Sequence, residues 1–362
     1  MKTINTLAKH YDQEARERLQ NPKDSGIYSQ NLKDLNPENS RLGFGCAELF
    51  TFLEREQIQN KRVLDIGCGA GADMIYLNQI FSPKEIMGID ISEEMIRLAN
   101  QRFSQTHLKA IKTSIEEFSD PQKFDLILSN AVIHLNQRKT PIFQKIYDLL
   151  EDEGEFLCAD FMTQTPVHPK LLQEFQTSGG LFLFGGLESR DVYLNGLASA
   201  GFEEVEVLET RCFDPSPQIR NILASKPDLL SSLRQTQFLI VILKARKMAP
   251  CQIIPILCPQ CKSTRTIKHY ASINRQIHLN LCKKISGQLW SPCPSCERLE
   301  IEAWMQYHDM DAKKMVVALP PEQKHLRAEL EKSLLGPMQK QMPHYHFYLC
   351  FGLSEFKKLC QQ

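Results

Sequence analysis

Short apolar runs alternate with stretches of helical period through the middle of the chain. "RVLDI" at 62–66 reads as a strand, "GADMIYLNQIF" at 71–81 as a helix and "EIMGID" at 85–90 as a second strand. "SEEMIRLANQRF" follows as a helix opened by Ser92, with Glu93 and Glu94 in its first turn, where the helix dipole favours acids. "HLKAIK" and "FDLILSN" are the next strands, then come a helix at about 140–150 and the strand "GEFLCADF". "FEEVEVLE" and "TQFLIVILKARK" close the pattern. The second is long and apolar, as a strand set between others should be. The alternation predicts an α/β domain, a parallel sheet with helices on both faces.

On either side of that pattern the character changes. Residues 1–60 form a helical N-terminal segment, polar at first, including "RLGFGCAELFTFLERE", a glycine-containing turn before an amphipathic helix. At 247–255 "KMAPCQIIPIL" carries prolines and no helical period, which marks a boundary. The predicted units are therefore 1–60, 61–247 and 254–362. The last contains four cysteines in two pairs, a charged helix "PEQKHLRAELEKSL", and a strand-like run with a short helix in "HYHFYLCFGLSEFKKLC".

Charge narrows the partners. With 43 basic and 43 acidic residues the net charge is zero, which argues against a chain held by nucleic-acid phosphates or an anionic membrane. No run of eighteen or more apolar residues is present, so no membrane span is expected, and "MKTINTLAKHYDQEARERL" lacks the apolar core of a secretion signal. Twelve cysteines without an export signal point to reduced thiols, some on metal, in a cytoplasmic protein.

The chemistry begins at "VLDIGCGAGADM". Gly67, Gly69 and Gly71 allow a sharp turn after the first strand and close backbone approach to a ligand. Gly67-x-Gly69-x-x-Ala72 also satisfies the dinucleotide fingerprint, with Asp90 at about the interval of a ribose-binding acid. Asp65 separates the two readings. A dinucleotide sets its pyrophosphate near this turn, where a carboxylate repels it, whereas S-adenosylmethionine brings the cationic amino end of its methionine. Opposite charges roughly 4 Å apart gain about 4 kcal/mol at an effective dielectric of 20, before desolvation. That favours S-adenosylmethionine. Asp90 then accepts the ribose hydroxyls. Ile115 would cover the adenine face, with Ser114 or Glu116 near its amino group. Ile91 in "GIDIS" and Asn130 at the end of "FDLILSN" complete the candidate cofactor residues.

Residues 60–160, with "VLDIGCGAG", "GIDIS" and "FDLILSNAVIHL" in order, resemble a class I S-adenosylmethionine-dependent methyltransferase. The resemblance implies a Rossmann-like sheet in the order 3-2-1-4-5-7-6, with the seventh strand antiparallel. From about residue 40 to 210 the chain is similar to the arsenite methyltransferase branch, through "LGFGC", "SNAVIHLNQRKTPIFQKIYDLLEDEGEFLCADF" and "GGLESRDVYLNGLASAGFEEVEVLE". In that branch thiolates hold the soft arsenic centre. Here the position after "SN" is Ala131, and the one before Gly185-Gly186 is Phe182 or a neighbour, leaving Cys46 alone. A single thiolate cannot chelate arsenic, so a small, organic methyl acceptor is expected.

Around the acceptor, "SGGLFLFGG" is either a buried connection or an apolar lid. His134, just after the fourth strand, is the candidate general base by position and intrinsic pKa, with a structural hydrogen-bonding role as its alternative. Methyl transfer asks mainly for geometry, a nucleophile held in line at about 3 Å and water excluded.

"CPQC" (Cys258, Cys261) and "CPSC" (Cys293, Cys296) lie 31 residues apart, the pattern of two knuckles presenting four thiolates to one structural zinc ion. Cys251 and Cys282 read as small core residues. From about 254 to 362 the chain resembles a CpXC-type domain, a zinc-ribbon-like α+β module, through these motifs, "MQYHDMDAKKMVVALPPE" and "FYLCFGLSEFKKL". Such a closed site leaves no open position for catalysis, and its surface could take a protein partner. Two alternatives remain: a methyltransferase for arsenite or another thiophilic metalloid using Cys46, and a regulatory protein that senses S-adenosylmethionine without turnover.

Overall fold

The computed structural model describes residues 2–21, 27–178, 182–202, 204–214, 217–248, 252–269, 272–274, 292–301, 303–310 and 312–361. Cys251, Cys282 and the side chain of Phe182 lie outside the described residues. The chain divides into two compact units, Met1–Met248 and Ala249–Gln362. No helix among the described residues is long and apolar enough to cross a membrane.

The first unit is built on seven strands: β1 (Arg62–Ile66), β2 (Glu85–Asp90), β3 (Leu108–Lys112), β4 (Phe124–Asn130), β5 (Leu150–Thr163), β6 (Glu204–Phe213) and β7 (Phe238–Arg246). They lie in the order β3-β2-β1-β4-β5-β7-β6. The first five pair in parallel, and β7 runs antiparallel to both β5 and β6. This is the order that the resemblance implied. β1 is buried along its whole length, because layers cover both faces of the sheet. Its period of two divides the core: Leu64 and Ile66 join Ile127, Phe156 and Leu243 on one face, while Val63 joins Leu126, Leu157, Met74 and Leu77 on the other. β5 is longer than "GEFLCADF" suggests. It follows the helix Lys139–Leu149 directly and shifts register against β4 between Phe124 and Leu126.

The second unit holds a two-stranded sheet of β8 (Gln252–Leu257) and β9 (Thr264–His269), and a four-stranded sheet of β10 (Ser272–Asn274), β11 (Met305–Asp309), β12 (Lys314–Leu319) and β13 (His346–Phe351). β8 was not expected. Its Pro255 hides the strand pattern, yet a two-stranded sheet has only edge strands, where proline is tolerated. The charged helix of the sequence reading is broken into short pieces, with a π-helical stretch at Glu331–Leu335. The strand and terminal helix are present as β13 and Leu353–Gln361. Phe356 of that helix is fully buried, edge-on to Tyr307.

One contact in the first unit positions a wall of the candidate site. After the turn Phe182–Phe184, Gly186 packs on the turn Ile133–Leu135, and Lys139 donates to the carbonyls of Asn136 and Gly186. A methyl group on Gly186 would sit 2.2 Å from the His134 carbonyl oxygen and 2.7 Å from that of Asn136. Neither atom is at the free end of a flexible side chain. Gly186→Ala is therefore expected to destabilise the fold by about 1–3 kcal/mol, the usual range for overpacking. A lowered urea midpoint with an unchanged slope checks this, and a wild-type midpoint would refute it.

Candidate functional site

A cavity of about 460 Å³ opens at the carboxyl ends of β1 to β4, where open α/β sheets receive their ligands. Gly67 and Gly69 follow β1, Asp90 ends β2 with Ile91 next, Thr113 to Glu116 follow β3, and Asn130 ends β4 with Ala131 to Ile133 after it; all line it. Gly67 is required on two grounds. Its φ is 71°, and a methyl group there would lie 2.3 Å from Val132 Cγ2. Gly69 meets nothing closer than 4.0 Å, so its bare backbone faces open cavity. Gly71 heads the helix Ala72–Phe81, lies against Phe103 and does not line the cavity.

The acids carry the electrostatics. Asp90 Oδ2 accepts from the Gly69 amide at 3.0 Å and Oδ1 from the Ser92 amide at 2.8 Å. Burial pushes its pKa up to about 6 despite these bonds. Each oxygen still has acceptor capacity facing the cavity. Asp65, expected to face the ligand crevice, is not among the residues that line the cavity; it is buried, and its Oδ2 has no hydrogen-bond partner among the described residues. Burial, then the charges of Asp73 and Asp90, raise its pKa well above the usual carboxylate range. An unpartnered buried carboxylate oxygen is costly and is relieved by a nearby cation.

Asn130 ties the site to the N-terminal segment. Its Oδ1 accepts from the Cys46 amide at 2.8 Å, and its Nδ2 donates to the Ala47 carbonyl at 2.8 Å and to Asp73 Oδ2 at 3.1 Å. Tyr28 donates to the other Asp73 oxygen at 2.7 Å. At the opposite end, Glu116 accepts from Asn136 Nδ2 at 2.7 Å, and the Ser114 hydroxyl accepts from the Glu117 amide at 3.3 Å. Ile115 packs into the core with one face on the cavity.

His134 is not brought to the wall. Its Nδ1 bonds Asp160 Oδ1 at 2.6 Å, its amide donates to Asp160 Oδ2 at 2.8 Å, and its ring meets Phe161 edge-on. Tyr193 donates to Asp160 at 3.0 Å. These are the contacts of the structural alternative. Sequence reasoning missed the wall formed by Ile4, Leu7, Tyr11 and Phe44. The spacing of Ile4, Leu7, Tyr11 and Ala15 along the helix Lys2–Gln20 was the available signal. Leu135, Gln137, Arg138, Pro141 and Ile142 were missed as well.

In the second unit, Cys258, Cys261, Cys293 and Cys296 bring their sulfur atoms within 4.8 Å of one another. Cys258–Cys296 and Cys261–Cys293 are 3.7 and 3.6 Å apart. A tetrahedron with metal–sulfur bonds of about 2.3 Å has edges of roughly 3.8 Å, so the set fits zinc. Both knuckles share one backbone design. The amides of Lys262 and Glu297 bond back to the carbonyls of Cys258 and Cys293, with φ of 61° and 55° at the turning residues. The first knuckle is the turn between β8 and β9.

Residues 58–195 match the model of a methyltransferase domain, and residues 256–358 match that of the CpXC protein. The chain is 25% identical over 177 residues to the arsenite methyltransferase of Mus musculus, covering 45% of this chain and 46% of that one. It is 35% identical over 108 residues to the phosphoethanolamine N-methyltransferase of Plasmodium falciparum, covering 28% and 40%. The chain thus spans less than half the length of these curated relatives. An arsenic(III) S-adenosylmethionine methyltransferase from Chlamydomonas reinhardtii shares the fold, with a TM-score of 0.50, 18% identity, and coverage of 62% of this chain and 76% of that one. The chain therefore joins a domain of the methyltransferase family, with the class I fold, to a CpXC domain.

Proposed function

We propose that the chain is an S-adenosylmethionine-dependent methyltransferase for a small organic acceptor, with a structural zinc ion in its C-terminal unit. The observation that carries this reading is the cavity wall, where Gly67, Gly69, Asp90, Ile91, Ser114, Ile115, Glu116 and Asn130 meet from four separate strand ends.

Asp90 would accept the ribose hydroxyls on the lone pairs that its two amide bonds leave free. Ile115 would cover the adenine, beside Glu116. The unpartnered oxygen of Asp65 would answer the cationic amino end. When bound, the cofactor supplies an already activated methyl group. The protein's part is to position the acceptor and exclude water, so the engaged state of His134 is no obstacle.

The acceptor is not a thiophilic metalloid in this reading. Ala131 lines the cavity where a thiolate would be needed, and burial pushes the Cys46 thiol up, away from the thiolate form. Among the described residues, the four-cysteine set of the second unit is the one close group of three or more metal-ligating side chains.

Calorimetry with S-adenosylmethionine should give one site per chain, and none for NADH. Asp90→Ala should weaken binding by about 1.5–3 kcal/mol. Equal affinity in both proteins would reject the ribose assignment. The free Asp90 carboxyl titrates at about 6, and hydroxyl donors select its ionised form. Binding should therefore release protons and weaken as pH falls below that value, then level off above it. Asp90→Asn should flatten this dependence.

Purified protein should contain one zinc per chain, and Cys→Ser at any of the four positions should unfold the C-terminal unit locally while cofactor binding persists. Elemental analysis without zinc, with all four thiols freely reactive, would end that assignment. Arsenite methylation should be negligible even with glutathione. Steady multiple turnover, abolished by Cys46→Ser, would overturn the choice of an organic acceptor.

A further inference from the structure

We propose that the N-terminal helix Lys2–Gln20 is a working wall of the cofactor site, and that Asp12 is the positioning residue that ties it to Asp90. This rests on the cofactor reading above, and goes beyond it to a segment outside the matched methyltransferase domain, which begins at residue 58.

One face of the helix supports the assignment. Ile4, Leu7 and Tyr11 line the cavity across from the strand ends. Next to them, Ala15 packs into a small buried cluster with Met95 and Leu98 of the helix Glu93–Arg102. The helix is therefore fastened to the element that begins three residues after Asp90.

Polar contacts make the fastening specific. Asp12 Oδ1 accepts from the Ser92 hydroxyl at 2.6 Å and from the Glu94 amide at 3.1 Å. An acid at the positive end of the ten-residue helix Glu93–Arg102 is favourable in itself. Ser92 is bonded on its other side, since its amide donates to Asp90 Oδ1 at 2.8 Å. Arg16 adds an exposed ion pair with Glu94 at 3.1 Å.

Ser92 thus links two carboxylates, and their like charges oppose docking of the helix. A ligand in the cavity would touch Ile4, Leu7 and Tyr11 only while the helix is docked. Ligand binding should then tighten helix docking, and by reciprocity a docked helix should tighten ligand binding.

The test uses the full chain with S-adenosylhomocysteine as probe. The ligand should slow hydrogen exchange of the amides of residues 4–16. Asp12→Ala and Leu7→Ala should each raise its Kd about tenfold, with the ligand-free variants still folded by circular dichroism. Unchanged exchange, together with wild-type Kd in both variants, would overturn the proposal. Asp90→Ala separates the two levels: if it abolishes binding while Asp12→Ala and Leu7→Ala bind normally, only the helix assignment falls. If the wild-type chain binds no S-adenosylhomocysteine, both fall.

Discussion

The first unit depends on how Asn130 is satisfied. Its amide group is used at both ends: one atom accepts from Cys46, and the other donates to Ala47 and Asp73. β4, the N-terminal segment and the helix Ala72–Phe81 are thereby joined at one side chain. Each such bond contributes about 0.5–1.5 kcal/mol net, but leaving a buried partner unmade costs more. The fit is close enough that a methyl group on Gly45 would lie 2.2 Å from Asn130 Nδ2. "LGFGC" and "SN", distant in the sequence, belong to one junction.

That junction gathers negative charge. Asp65 is buried and Asp73 and Asp90 are half-buried near the glycine turn, and each has its pKa raised first by desolvation. Asp73 is relieved by Tyr28 and Asn130, and Asp90 by backbone amides. Asp65 is the exception, with one oxygen unpaired. A fold optimised only for stability would place an apolar residue there. The cost is concentrated at one buried atom, one residue before Ile66 of the cavity wall.

Much of this was legible in the sequence because its signals are local. Strand period, the glycine turn, the capping Ser92 and the doubled CxxC each depend on residues within one turn or one strand. What escaped depends on contacts distant in sequence. The helix Lys2–Gln20 looked like a polar approach segment because its charged face dominates the composition, while only Ile4, Leu7 and Tyr11 meet the cavity. His134 looked catalytic because its partner, Asp160, sits on β5 and is brought up only by the parallel pairing of β4 with β5. Pro255 concealed β8 because the penalty for proline depends on whether a strand has neighbours on both sides.

The two units therefore encode chemistry in different ways. The four-cysteine cluster is written in spacing: a knuckle needs two thiols three positions apart and a residue that turns at positive φ, as Lys262 and Glu297 do. Replacing one cysteine would erase the pattern as well as the site. The cavity of the first unit is instead built from backbone turns and a few acids at four strand ends, so one lining side chain can change without erasing the strand and glycine pattern. Ala131 shows the consequence. At a φ of 62° it keeps the turn after β4 and supplies no ligand to a soft centre. The strand ends are thus legible from backbone pattern, whereas what the rest of the cavity admits depends on side chains such as Ala131.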